Sequence, residues 1–163
     1  MILRLKEINY TIVDIIKGNC DSIFEHLVSV NLAYVVKGHG LFPGIYIDMK
    51  NTRSTQGAAS RVLYFDDYSL MEQEMLYYIP NISFVLRFFN ITGRGGFFLK
   101  EVMCYVQVRQ LYVDATQVTV DFTFVTAKGL RALVFKFLLK EPLMAYINVG
   151  FGNLKRMLQC GVS

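Results

Sequence analysis

Apolar and polar residues alternate with a period of two along most of this chain, and the period becomes helical near its end. The clearest alternation puts Val118, Val120, Phe122 and Phe124 between Gln117, Thr119, Asp121 and Thr123, the pattern of a strand with one buried and one wetted face. A β-branched run over residues 8–16 predicts a first strand, broken by Lys17-Gly18-Asn19. Ser22 with Glu25 three residues on predicts a capping box, and Ile23, Phe24, Leu27 and Val28 give the apolar face of a short helix. Further strands are predicted over 45–53, 59–65, 69–79, 82–91 and 99–113. They are separated by Asp66-Asp67-Tyr68, Pro80-Asn81 and the Thr92-Gly93-Arg94-Gly95-Gly96 loop. The last of these strands is long enough to need a bulge.

From Lys128 onward Leu130, Leu133, Val134, Phe137 and Leu138 recur at helical intervals. Pro142 is expected to kink or break the helix, which resumes over 144–158. Seven strands joined by short turns, with helices after the first and the last, describe an α+β meander rather than alternating βαβ units. One long terminal helix across a curved antiparallel sheet leaves room inside. At 163 residues the chain reads as a single domain, 1–163.

Composition sharpens this picture. Hydrophobic residues make up 53% of the chain and charged ones 18%, above the globular apolar share of roughly 45–50%, and Phe, Tyr and Met supply side chains of the kind that line ligand cavities. The formal net charge of +4 comes from cations spread along the chain, without the concentrated basic footprint of a nucleic-acid binder. Cys20, Cys104 and Cys160 are far apart and lack CxxC spacing, which predicts reduced thiols in a cytoplasmic protein rather than a disulfide framework or a zinc site. Residues 1–13 carry Arg4, Lys6 and Glu7 and do not read as a signal peptide. The greasy 130–151 stretch is interrupted by Arg131, Lys136, Lys140, Glu141 and Pro142 before the ~18–20 residues a membrane span requires.

Candidate chemistry is sparse. His26 and His39 are the only imidazoles, and neither has a second ligand at metal-binding spacing, so no metal and no cofactor is expected. Glu72 and Glu74 leave one face of their strand, which admits either a solvated face or a general acid/base pair. Arg61 and Arg87 suit structural ion pairs, and Asp121 belongs to the polar face of its strand. Tyr64, Tyr77, Tyr78 and Tyr105 can each bring a hydroxyl to an oily pocket. The glycines at 93, 95 and 96 lack GxGxxG spacing, and those at 150 and 152 lie inside the terminal helix, where they are expected to let it approach the sheet. No GxSxG nucleophile motif occurs.

The order of these elements resembles the helix-grip superfamily, which includes the birch-pollen allergen, the START lipid-transfer domains and the bacterial polyketide cyclase/dehydrase and lipid-transport group. Three features carry the resemblance: the strand-then-helix opening over 10–27; Gly57-Ala-Ala-Ser-Arg61-Val62 followed by the Asp66-Asp67 turn and Glu72/Glu74; and the closing Gly152-Asn153-Leu154-Lys155-Arg156. It implies a seven-stranded curved antiparallel sheet wrapped around the C-terminal helix, with an apolar pocket between them for lipids, sterols, polyketides or hormones. On that basis the chain is expected to bind or carry a hydrophobic small molecule. Tyr64, Phe84, Phe88, Tyr105, Phe122 and Phe124 on strands, and Met144, Ile147 and Phe151 on the helix, would surround the pocket, with Glu74 as polar anchor. The way in would lie near residues 42–45 and Pro142. The alternative is a cyclase or dehydratase using a pocket carboxylate or Tyr for proton transfer. Transient membrane contact through 130–151 is a further expectation.

Overall fold

The computed structural model describes residues 7–51 and 60–160; the predicted strand ends at 52–53 and 59, and Gly57, lie outside the described residues. In chain order the strands are β1 Glu7–Lys17, β2 Lys37–His39, β3 Phe42–Asn51, β4 Ser60–Phe65, β5 Leu70–Ile79, β6 Ser83–Phe89, β7 Leu99–Tyr112 and β8 Ala115–Thr126. The helices are α1 Cys20–Ser29, α2 Leu32–Val35, α3 Gly93–Phe98, α4 Leu130–Val134 and α5 Lys140–Cys160, with a π-helical turn, Phe135–Leu139, joining the last two.

All neighbours in the sheet are antiparallel, in the order β1-β8-β7-β6-β5-β4-β3-β2. Among the described residues there are eight strands rather than seven, because Lys37–His39 turns back through Gly40-Leu41 to pair with β3. Register shifts interrupt β3 at Ile45/Ile47, β5 at Met75/Tyr77 and β7 at both ends. Such bulges bend and twist the strands that carry them, and the sheet curls into a half-barrel. The first and second strands stand at opposite edges, and α5 reaches both. Tyr10 donates to Asn148 at 2.9 Å and Lys155 meets Asp14 at 2.7 Å on the β1 side. On the other side the Tyr146 hydroxyl donates to the Pro43 carbonyl at 2.9 Å and Asn153 to that of Val35 at 2.8 Å. The helix is thereby strapped across the open side of the curl.

The inner face is the one the alternation predicts. Val118, Val120 and Phe124 of β8 are buried and pack with Ile16, Phe24, Phe84 and Val106 in the core beneath α1, or with Phe135 and Met144 beneath the terminal helix. Five local expectations change. The α1 cap is Asn19, whose Oδ1 accepts from the Ser22 N–H at 2.8 Å; Ser22 lies inside the helix. The glycine-rich loop at 92–96 is largely helical, as α3. Pro142 does not end the terminal helix but falls in the first turn of α5, directly after the π-turn. The inward residues of this region are Ala132, Phe135, Leu143 and Met144, while Leu130, Leu133, Phe137 and Leu138 face outward. The segment is apolar all round, so spacing alone could not choose its buried side. Gly150 approaches Val36 rather than the sheet, and Gly152 has open space around it.

Candidate functional site

Between the sheet and α5 lies a cavity of about 890 Å³, within the roughly 300–1,000 Å³ range of small-molecule sites. Its walls are mostly apolar. Leu63, Phe84, Leu86, Phe88, Phe122 and Phe124 come from the sheet, Leu27 and Val35 from α1 and α2, and Phe135, Leu143, Ile147 and Phe151 from the terminal helical segment. At one end the cavity is bordered by the β2–β3 turn with Leu41, the β4–β5 turn with Asp67 and Ser69, α3 with Arg94, and Leu139 of the π-turn.

This rim is a connected structure. Gly44 N–H donates to Asp66 at 3.1 Å, and Asp66 N–H returns a bond to Gly44 at 3.0 Å. A Cβ on Gly44 would sit 2.7 Å from both Asp66 and the Lys37 backbone, so glycine lets the two turns close. Thr92 bonds Leu70 through its backbone and side chain, tying α3 to β5. Phe42 and Tyr146 pack their rings 5.3 Å apart. Burial, then the nearby Asp66 and Asp67 carboxylates, push the Tyr146 phenol well above its ordinary value.

The polar part of the wall is small and deep. Arg61 and Gln73 are directly opposite each other on β4 and β5, and both are buried. Arg61 bonds Asp48 at 3.0 Å, the Val30 carbonyl at 2.6 Å and the Val28 carbonyl at 3.0 Å. The Gln73 side-chain oxygen is fully buried without a hydrogen-bond partner. Gln73 borders the cavity, so a small turn of its side chain would offer this acceptor to a guest that brings a donor. Arg61 is four residues along β4 from Phe65 at the rim turn, roughly 13 Å at ordinary strand rise. Cys104 also faces the cavity, and burial pushes its thiol up to about 12, which leaves it a neutral wall residue.

Of the side chains expected to surround the pocket, Phe84, Phe88, Phe122, Phe124, Ile147 and Phe151 border the cavity. Met144 is packed behind it with Phe124 and Phe135. Tyr64, Glu74 and Tyr105 are on the opposite face of the sheet. Tyr64 alternates with inward Arg61, Leu63 and Phe65, and packs against Tyr46. Tyr105 lies between inward Cys104 and Val106, and its hydroxyl accepts from Gln107. Glu74 bonds Arg87 at 3.0 Å, and Arg87 also holds Glu101 at 2.8 Å. Glu72 accepts from Asn90. The polar residues deep in the cavity wall, away from the rim, are therefore not the expected anchor but Arg61 and Gln73. Their signal was phase: Arg61 shares parity with Leu63 and Phe65, and Gln73 with Met71 and Met75. Among the described residues no three His, Cys, Asp or Glu side chains gather as metal ligands would, and no helix is long and apolar enough to cross a membrane.

No family model and no curated protein matches the sequence. Solved structures do resemble the fold over nearly its whole length. Ara h 8.0201 is 11% identical with a TM-score of 0.67, over 94% of this chain and 98% of that one. Norcoclaurine synthase from Thalictrum flavum, in complex with dopamine and hydroxybenzaldehyde, is 10% identical with a TM-score of 0.67, over 98% and 90%. The Zhui aromatase/cyclase from a Streptomyces species is 14% identical with a TM-score of 0.60, over 98% and 99%. The architecture is the helix-grip fold, a curled antiparallel sheet closed by a long C-terminal helix. At these identities the likeness establishes the fold.

Proposed function

We propose that this protein binds and carries a hydrophobic small molecule with one polar end. The observation behind this reading is the apolar cavity of about 890 Å³ with a single deep polar patch, Arg61 and the unpartnered Gln73 oxygen. Apolar burial drives binding at about 25 cal/mol per Å² removed from water. The polar end orients the guest by donating to Gln73, and the apolar body extends toward the rim. A structural neighbour in complex with dopamine and hydroxybenzaldehyde, small aromatic molecules with polar groups, supports cargo of this general chemistry.

The cyclase or dehydratase reading draws support from the aromatase/cyclase neighbour, but the chemistry of the wall favours it less. Glu72 and Glu74 are outside the cavity, and Asp48 is held by Arg61. Asp67 at the rim accepts from Ser69. Tyr146 donates to a carbonyl, and its raised pKa opposes service as a base.

Uptake of a fluorescent fatty acid and a fluorescent sterol tests the proposal. Wild-type protein is expected to take up at least one of them, Phe151→Asp to lose uptake, and Val102→Trp to lose it by filling the space. Unchanged uptake in a folded Val102→Trp protein would overturn the assignment. Native mass spectrometry of protein purified from its host would then give the mass of the guest.

A further inference from the structure

The rim of the cavity carries apolar side chains that the fold does not use. On the helical segment that borders the cavity through Phe135 and Leu139, Leu130 is 76%, Phe137 72% and Leu138 67% exposed, and Leu41 on the β2–β3 turn, which borders the same cavity, is 69% exposed. Burying these side chains is worth far more than leaving them in water, and large apolar side chains exposed this close together in the chain are of the kind that marks an interaction site.

Cations are interleaved with the patch. Residues 128–140 hold Lys128, Arg131, Lys136 and Lys140 and no carboxylate. The Arg131 guanidinium lies 3.9 Å from the centre of the Phe97 ring of α3, and the Lys136 ammonium 5.4 Å from that of Phe137. The acids nearby are Glu141, next in the chain, and Asp66 and Asp67 on the β4–β5 turn, where Asp66 is engaged by Gly44 and Asp67 by Ser69.

We infer that this rim docks on the surface of an anionic phospholipid bilayer, with Leu130, Phe137, Leu138 and Leu41 entering the headgroup zone and the four cations pairing with lipid phosphates. Lys and Arg extend their apolar stems along such side chains while their charges reach the interface. A protein partner fits less well, because Lys is depleted from the centres of protein interfaces. A second copy of this chain would set the same cations against one another. Docking at this place opens the cavity toward lipid rather than water, yet it depends only on the rim and stands whatever the cargo is.

Co-sedimentation of the full chain with phosphatidylcholine vesicles, and with vesicles of phosphatidylcholine and phosphatidylglycerol, tests the inference at low and high salt. The chain is expected to sediment with the anionic vesicles and to be released by salt. Lys136→Gln should weaken binding about fivefold, and Phe137→Asp about tenfold or more. Both positions are exposed, so unfolding midpoints and uptake of the fluorescent probes should match wild type, which separates failure of docking from failure of the cavity. Absence of binding to either vesicle, binding indifferent to lipid charge, or a Phe137→Asp protein that binds as wild type does would overturn the inference. So would a dimer in sedimentation velocity that Phe137→Asp dissolves while vesicle binding persists, since the patch would then belong to a second copy.

Discussion

Arg61 and Asp48 meet at 3.0 Å with side chains only 10% and 2% exposed, and the same guanidinium holds the carbonyls of Val28 and Val30. One cation thus fastens the end of α1 to the sheet. Removing one partner of a buried pair strands the other charge at a cost of about 3–5 kcal/mol. Arg61→Met is expected to lose that much unfolding free energy in urea titration. Asp48→Asn should lose less, because an amide oxygen still accepts from the Leu32 N–H now bonded at 2.8 Å. An Arg61→Met protein as stable as wild type would show that the pair contributes nothing.

Gln73 separates stability from binding. Its orphaned oxygen is a cost to the empty protein, so Gln73→Leu should raise stability by about 1 kcal/mol. The same change removes the acceptor offered to the guest, and affinity for a hydroxyl-bearing probe should fall about fivefold, the equivalent of one net hydrogen bond. Calorimetric melting and fluorescence titration of one preparation read both effects. A loss of stability with unchanged affinity would give Gln73 a purely structural part.

Alkali should weaken the fold through two buried acids. The Cys104 thiol rises from 9.0 to about 12 in the folded chain, and the Tyr146 phenol is raised as well. Each is favoured in its neutral form by folding, so this stabilisation is fully present below the unfolded pKa and is lost as pH climbs toward the folded value. Urea midpoints measured across that window should fall. Cys104→Ala should remove about 1.4 kcal/mol per pH unit from the slope between 9.0 and about 12. Identical slopes would mean that the thiol does not titrate with unfolding.

Two glycines should respond oppositely to alanine. A Cβ on Gly96 would lie 1.9 Å from the Ile91 carbonyl oxygen, a backbone atom that cannot swing aside. Gly152 sits within α5 with nothing within 4 Å. Gly96→Ala is expected to destabilise α3 and the rim. Gly152→Ala should stabilise the protein by about 1 kcal/mol through helix propensity. Thermal melts of the two variants suffice, and a destabilised Gly152→Ala would contradict the open surroundings.

Much of the fold was readable because the strands are wetted on one side. Val118 to Phe124 announce their inward face by parity, and the inward residues of β4 obey the same rule. Parity failed where the backbone slips: the shift at Met75/Tyr77 changes which residues of β5 share a side. Phase sets Gln73 with Met71 and Met75 and apart from Glu72 and Glu74, but which of the two sides looks inward is decided only when β5 is paired with β4. The 130–138 segment has apolar residues on every side, so the residues that serve the core and those left on the rim could not be told apart. The closing Asn153 and Lys155 were visible as a motif, but their work, bonding Val35 and Asp14, depends on contacts far apart in sequence.

The π-turn Phe135–Leu139 also sets how this chain tolerates changes in length. A π-turn accommodates about one residue more than an α-turn, so a deletion inside it can be absorbed by tightening to ordinary α geometry. A deletion later in α5 would rotate everything beyond it by about 100°, swinging Phe151 from the hollow and Lys155 from Asp14. The wide turn is therefore the place along the lid where evolution or a protein engineer can lose a residue with least harm.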